Sequence, residues 1–188
     1  MNEADSDKLA SALDQLGLTK KDNAEDADLV VLNSCVVRQS AEDKVSYRVS
    51  ISQEFKKDRP EQMLVLMGCM VGPNSENLQK RFPSVDMFMR PQDFNPLLEQ
   101  IAELNDVDLE GCISNYAHSN PGISCHVPII KGCDFMCSFC IIPYRRGRQE
   151  SRTIRDIVSE VSILVDRGVK EITLLGQTVD AYGHDLNE

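Results

Sequence analysis

Gly132-Cys133-Asp134-Phe135-Met136-Cys137-Ser138-Phe139-Cys140 lies between a strand-like run, Cys125–Lys131 (CHVPIIK), and a helix pattern that opens at Thr153. Pro128 within the run cannot donate to a ladder and places it at a sheet edge. Downstream, Thr153 with Asp156 three residues on resembles a capping box with Asp in place of Glu. Ile154, Ile157, Val158, Val161, Leu164 and Val165 recur at helical spacing and predict a buried stripe, which Gly168 ends. Glu171–Leu175 (EITLL) is predicted to be a further buried strand. Strand, loop, helix and strand in this order make one repeat of a parallel α/β barrel. A complete barrel takes about 250 residues, so with the chain stopping at Glu188 a truncated barrel is expected.

Upstream of this unit the same alternation recurs. Glu3–Leu16 carries Leu9, Leu13 and Leu16 on one face and meets Gly17, a helix with its C-cap. Asp28–Asn33 (DLVVLN) and Gln62–Met67 (QMLVLM) are continuously apolar, as strands buried on both faces are. Gln39–Asp58 reads as a long surface helix, Ser75–Phe82 as a helix, Val85–Met89 as a third strand and Phe94–Leu104 as a helix. The pattern predicts a small doubly wound parallel sheet over residues 1–107. A polar stretch with Gly111, Pro121 and Gly122 makes 108–124 a linker, and 125–188 the second domain. A helix at the very start, with no strand before it, leads us to expect a fragment of a longer protein.

Composition narrows the function. Over 188 residues, 41% apolar and 27% charged side chains are globular proportions, which excludes a disordered tail or a fibre. Twenty Lys and Arg against 30 Asp and Glu give a net charge of −10, so nucleic-acid contact requires a local basic stretch. Apolar runs such as Met63–Met67 fall far short of the roughly 20 residues of a membrane span, and the acidic start Met1-Asn2-Glu3-Ala4-Asp5 is no signal peptide. A cytoplasmic protein with no membrane partner is expected.

Seven cysteines, an odd number without a secretion signal, argue for reduced thiols rather than a disulfide framework. Cys133, Cys137 and Cys140 follow C-x3-C-x2-C spacing. Three thiolates so close can share one metal centre, and soft sulfur selects zinc, copper(I) or an iron–sulfur cluster. Structural zinc takes four ligands, and the only local candidates for the fourth are Cys125 and His126. Three ligands without an obvious fourth suit a [4Fe–4S] cluster with one iron open. Phe135, Met136, Phe139, Ile141 and Ile142 supply an apolar collar for such a centre. Cys35 and Cys69 each follow a predicted strand, so parallel neighbours would bring both thiols out at one carboxyl edge. Read from the residues alone, two buried, unreactive cysteines fit these positions as well.

The cysteine loop resembles that of the radical S-adenosylmethionine enzymes. More narrowly, Gly132–Arg152 (GCDFMCSFCIIPYRRGRQESR) is similar to the methylthiotransferases, and Gly176–Gly183 (GQTVDAYG) resembles their branch acting on N6-isopentenyladenosine in tRNA. The resemblance implies that Cys133, Cys137 and Cys140 hold three irons of a [4Fe–4S] cluster whose fourth iron is chelated by S-adenosyl-L-methionine. It implies cleavage to a 5′-deoxyadenosyl radical, a tRNA substrate, an electron donor such as a flavodoxin or ferredoxin, and a monomer. It further implies a second cluster on Cys35 and Cys69, matching the family's second and third ligands, with the first lying two residues before the matched Met1-Asn2. Cys112 or Cys125 are substitutes for that ligand only in principle. The alternatives are a methylthiotransferase for threonylcarbamoyladenosine or for a ribosomal protein, and a non-catalytic metal-binding fragment.

Two cofactor-binding residues are expected. Gly176, just past the strand Glu171–Leu175, lets backbone approach the adenosyl ligand, or forms a plain turn. Arg152 belongs to a run of five arginines, with Arg145, Arg146, Arg148 and Arg155, and offers a cofactor or substrate contact. The run is the obvious phosphate-facing patch, and Tyr144 offers a stacking face to a base. His118, His126 and His184 share no ligand spacing, and no residue is singled out as a general acid or base.

Overall fold

The computed structural model describes residues 1–36, 39–107 and 122–186. The linker over 108–121, Cys112 and His118 lie outside the described residues. The chain divides into two compact units, one of Asn2 and Thr19–Leu97, the other of Met1, Glu3–Leu18 and the chain from Leu98 onward.

The unit 19–97 is a parallel three-stranded sheet in the order β1-β2-β3, formed by β1 (Leu29–Ser34), β2 (Met63–Gly68) and β3 (Met87–Met89). Helix α2 (Gln39–Asp58) makes the first crossover and α3 (Glu76–Arg81) the second, the helical connections that parallel strands need. β2 is central and almost wholly buried, with Leu64, Val65 and Leu66 at 0% exposure. Each such side chain contributes about 1.5–3 kcal/mol of burial. β1 lies at the sheet edge, so only Val30 and Ser34 are buried and the expected burial on both faces is not reached. Val45 and Val49 of α2 close the core with Met70, Val71, Phe82 and Val85.

The second unit opens with α1 (Asn2–Gln15), where Gly17 takes φ +87° and donates to the Asp14 carbonyl, as a helix-ending glycine does. Helix α4 (Asn95–Asn105) straddles the division between the units. The run Cys125–Lys131 is not one strand but two. β4 (Ser124–Pro128) pairs in parallel with β7 (Glu171–Leu175), whereas β5 (Ile130–Lys131) turns away at Ile129 to pair antiparallel with β6 (Glu150–Ser151). A short helix, α5 (Ile142–Arg146), interrupts what reads as an arginine-rich loop. α6 (Ile154–Asp166) starts where predicted, its Thr153 hydroxyl accepting from the Asp156 N–H at 3.2 Å.

Two burial expectations are corrected. Of the α6 stripe, Leu164 is fully buried and Ile157 and Val161 pack partly, but Ile154, Val158 and Val165 are more than half exposed. Strand β7 is likewise open, with Leu174 at 48% exposure. The reason is the sheet itself: β7 pairs only with β4 among the described residues, and two strands cannot cover a helix face that a fuller sheet would.

Candidate functional site

The parallel register pairs Pro128 with Leu175, so β4 and β7 end side by side at one carboxyl edge. The cysteine loop leaves through β5 from the first strand, and Gly176-Gln177-Thr178 leaves from the second. Their meeting is direct: Cys133 Sγ lies 3.3 Å from Thr178 Oγ1. Gly176 is packed against β5, where an added Cβ would strike Ile130 Cγ2 and come within 3.2 Å of Val179 Cγ2. That contact gives the glycine a packing requirement of its own.

The loop is fastened at both ends. Gly132 takes φ +65°, and an added Cβ would collide with the Arg148 carbonyl oxygen. The Cys133 N–H donates to the Gly147 carbonyl at 3.2 Å, and the Cys140 N–H to the Cys137 carbonyl at 3.0 Å. Asp134 accepts from the Gln149 N–H at 3.0 Å, while the Gln149 side chain donates to Ala181 O at 2.9 Å and to Asp185 at 3.2 Å. Asp185 in turn accepts from the Ser151 hydroxyl and N–H at 2.5 and 2.7 Å. Those Ser151 hydrogen bonds hold the Asp185 carboxyl at about 2, well below its ordinary 3.8. Asp134, Gln149, Ser151, Thr178 and Asp185 are therefore residues that sequence reasoning missed, since nothing local announces partners some 15–45 residues away.

Cys133 is buried, Cys140 half-buried and Cys137 exposed. No three His, Cys, Asp or Glu side chains are gathered into a metal-holding group among the described residues. The donor set fits an iron–sulfur cluster on chemistry: three thiols on one turn-held segment, one reaching solvent. The apolar collar is corrected, because Phe135, Met136 and Phe139 are 58%, 65% and 91% exposed instead of packed around the loop.

The arginine patch also shrinks. Arg146 is buried and pairs with Asp5 of α1 at 2.8 Å, the two side chains being 1% and 3% exposed. Arg152 pairs with Glu160 at 2.6 Å and donates to the Pro128 carbonyl at 2.8 Å, so its guanidinium is engaged at the end of β4. Glu160 also meets Lys8 at 3.8 Å, and burial pushes the Lys8 ammonium below its ordinary range against that attraction. Arg148 and Arg155 remain exposed beside exposed Tyr144. Cys125 packs in the core with Val127, Ile129, Ile130, Leu164 and Val169, and burial pushes its thiol up, away from the thiolate a metal needs.

In the other unit, Ser34 pairs with Gly68, so Cys35 and Cys69 follow directly on neighbouring residues at the carboxyl edge of β1 and β2. Ser34 fixes this corner: its hydroxyl donates to Met67 O at 2.7 Å and accepts from Met70 N–H at 3.2 Å, and its carbonyl accepts from Cys69 N–H at 3.1 Å. Gly68 at φ +101° sits where a Cβ would strike Ser34 O and come within 2.5 Å of Asn33 Oδ1. Asn2 joins the same corner, donating to Ser34 O at 2.9 Å and accepting from Asn33 at 2.7 Å.

The described residues thus place a three-thiol loop at the carboxyl edge of two parallel strands, in a chain that also carries a parallel three-stranded α/β unit. Residues 127–186 match the Radical SAM superfamily, and residues 1–90 match the family described as uncharacterized protein family UPF0004. The chain is 44% identical, over 99% of its length, to the tRNA-2-methylthio-N(6)-dimethylallyladenosine synthases of Herpetosiphon aurantiacus and of Roseiflexus sp.. It is 42% identical over its whole length to the synthase of the same description from Dehalococcoides mccartyi. The chain covers 43%, 39% and 42% of those three proteins, about two fifths of their length. The match of residues 127–186 to the Radical SAM superfamily implies a [4Fe–4S] cluster and S-adenosylmethionine as cofactors.

Proposed function

We propose that this chain forms part of a methylthiotransferase that modifies N6-isopentenyladenosine in tRNA. The observation that carries the reading is the Cys133–Cys137–Cys140 loop meeting the Gly176-Gln177-Thr178 stretch where β4 and β7 end. Cys133, Cys137 and Cys140 would hold the cluster. With S-adenosylmethionine bound, that group supplies one-electron cleavage of a sulfonium and hence a radical able to take hydrogen from an unactivated carbon. The chain's own part is to hold the loop: Gly132 and Gly147 fix its base, Arg152 fastens the end of β4, and Gly176 keeps the following segment against Ile130. Exposed Arg148 and Arg155, with Tyr144, are the groups left for tRNA phosphates and a base.

Cys35 and Cys69 would hold an auxiliary cluster at the corner that Ser34, Gly68 and Asn2 build. The division into 1–107, a connection at 108–124 and 125–188 is supported by family matches that fall on either side of that connection. An electron donor such as a flavodoxin or ferredoxin, a monomeric state and a cytoplasmic location complete the proposal. No helix among the described residues is long and apolar enough to cross a membrane.

The test is a chimaera in which this chain replaces the matching part of the Herpetosiphon relative, expressed in a host lacking the modification. Mass spectrometry of tRNA nucleosides is expected to find the methylthio derivative of isopentenyladenosine. Persistence of the unmodified nucleoside, where the intact relative restores the product, overturns the reading.

A further inference from the structure

Thr178 precedes a 3-10 turn, Val179–Ala181, with φ −146° and ψ 86°. A threonine so placed commonly turns its hydroxyl back onto the free N–H groups of the turn. Here the side chain makes no capping hydrogen bond. Its Oγ1 reaches instead across 45 positions of sequence to Cys133 Sγ, at 3.3 Å. The reach is possible because β4 and β7 end in register, delivering one residue from each connection to the same point.

Between a hydroxyl and a neutral thiol, either partner can donate. A metal-bound thiolate has no proton, so ligation leaves a single sense to this contact, with Thr178 O–H donating to sulfur. Cys133 is also the one buried member of the three cysteines. Water screens its sulfur least, so a single fixed dipole acts on it most strongly. A donor to a ligand sulfur favours the more negative, reduced state and raises the reduction potential.

We propose that Thr178 is a tuning residue for the cluster of the Cys133–Cys140 loop, its hydroxyl making that cluster easier to reduce by one electron. The inference rests on the cluster reading above. It assigns Thr178 no contact with S-adenosylmethionine or substrate, and the electron comes from the external one-electron donor.

The experiment uses the full chain in a Cys35→Ala, Cys69→Ala background, reconstituted anaerobically with iron and sulfide so that only the loop cluster reports. The midpoint potential is read by a dithionite titration with mediator dyes followed by electron paramagnetic resonance. Thr178→Val, nearly isosteric but without the hydroxyl, is expected to shift the reduction equilibrium about tenfold toward the oxidised form, or about 59 mV for a one-electron couple. Thr178→Ser keeps the donor and is expected to stay within about twofold of the parent on the same scale. A loaded valine variant with the parent's potential overturns the proposal, as does a serine variant as low as valine. If valine loses its iron, Thr178→Ala must show the tenfold shift in its place. Loss of iron from both, with retention by serine, assigns the hydroxyl to assembly and overturns tuning. If the parent itself takes up no iron, the cluster reading falls first and this inference falls with it.

Discussion

The Cys133–Cys140 loop and the corner at Cys35 and Cys69 present thiols by opposite routes. The loop's three cysteines come from one short segment, and their proximity is written in the chain itself. The corner's two cysteines are 34 positions apart in sequence, and only the pairing of Ser34 with Gly68 makes them neighbours. The anchoring differs as well. The loop ends in α5, whose Arg146 forms a buried ion pair with Asp5, whereas the corner is held by neutral hydrogen bonds of Ser34, Asn33 and Asn2. A locally encoded site depends on what clamps it, and a register-encoded site depends on the sheet.

The largest effect follows from treating the two as separate centres. Replacing Cys133, Cys137 and Cys140 together by Ala is expected to remove about four irons per reconstituted chain and to leave uptake at Cys35 and Cys69 unchanged. The Cys35→Ala, Cys69→Ala chain is expected to show the converse. Iron analysis and the visible spectrum decide it, and iron content unchanged in the triple variant breaks the comparison at its root.

The next effects are on stability. Asp5→Ala removes the carboxylate that pairs with the buried Arg146 guanidinium and is expected to cost about 3–5 kcal/mol in urea denaturation. A cost under about 1 kcal/mol would mean that water reaches Arg146. Gly132→Ala and Gly68→Ala probe the two regions in parallel. Each forces a side chain onto positive φ and into backbone carbonyl oxygen, Arg148 in one case and Ser34 in the other. Each is expected to cost about 2–4 kcal/mol. The difference lies in iron uptake, with Gly132→Ala reducing it at the loop and Gly68→Ala at the corner. Equal iron loss at both centres from either variant would merge the two regions into one.

What the sequence discloses follows the same division. The strands of the first sheet were legible because continuous apolar runs and helical spacing are local signals, and the Thr153 cap and the Gly17 stop were legible for the same reason. Pro143 just inside α5 and Gly147 at its end are also local marks of a helix, yet the surrounding arginines read more loudly as a basic loop. The break of Cys125–Lys131 at Ile129 had no such mark, because β5 exists only through pairing with Glu150 and Ser151. Arg146 read as a phosphate contact because its charge is visible in sequence, whereas its partner stands 141 positions away. The exposed faces of α6 and β7 mislead in the other direction, since an apolar stripe states what a helix can bury and not what is present to cover it.

The smallest expected effect concerns the outer brace of the loop and depends on pH. Asp185 is exposed, and its carboxyl is held at about 2 first by the Ser151 hydroxyl and then by the Ser151 N–H. A carboxyl depressed in the folded chain stabilises the fold when ionised, so its contribution is complete above its ordinary 3.8 and is lost as pH falls through about 2. Asp185→Asn keeps the size of the side chain and removes the titration. The parent's urea midpoint is therefore expected to fall more steeply than the variant's across that window, while the two run parallel above it. Equal slopes would detach Asp185 from the loop. A steeper parent slope would tie Asp134, between Cys133 and Cys137, through Gln149 to an acid held by Ser151 of β6. The corner at Cys35 and Cys69, whose anchors do not titrate, offers no counterpart to this dependence.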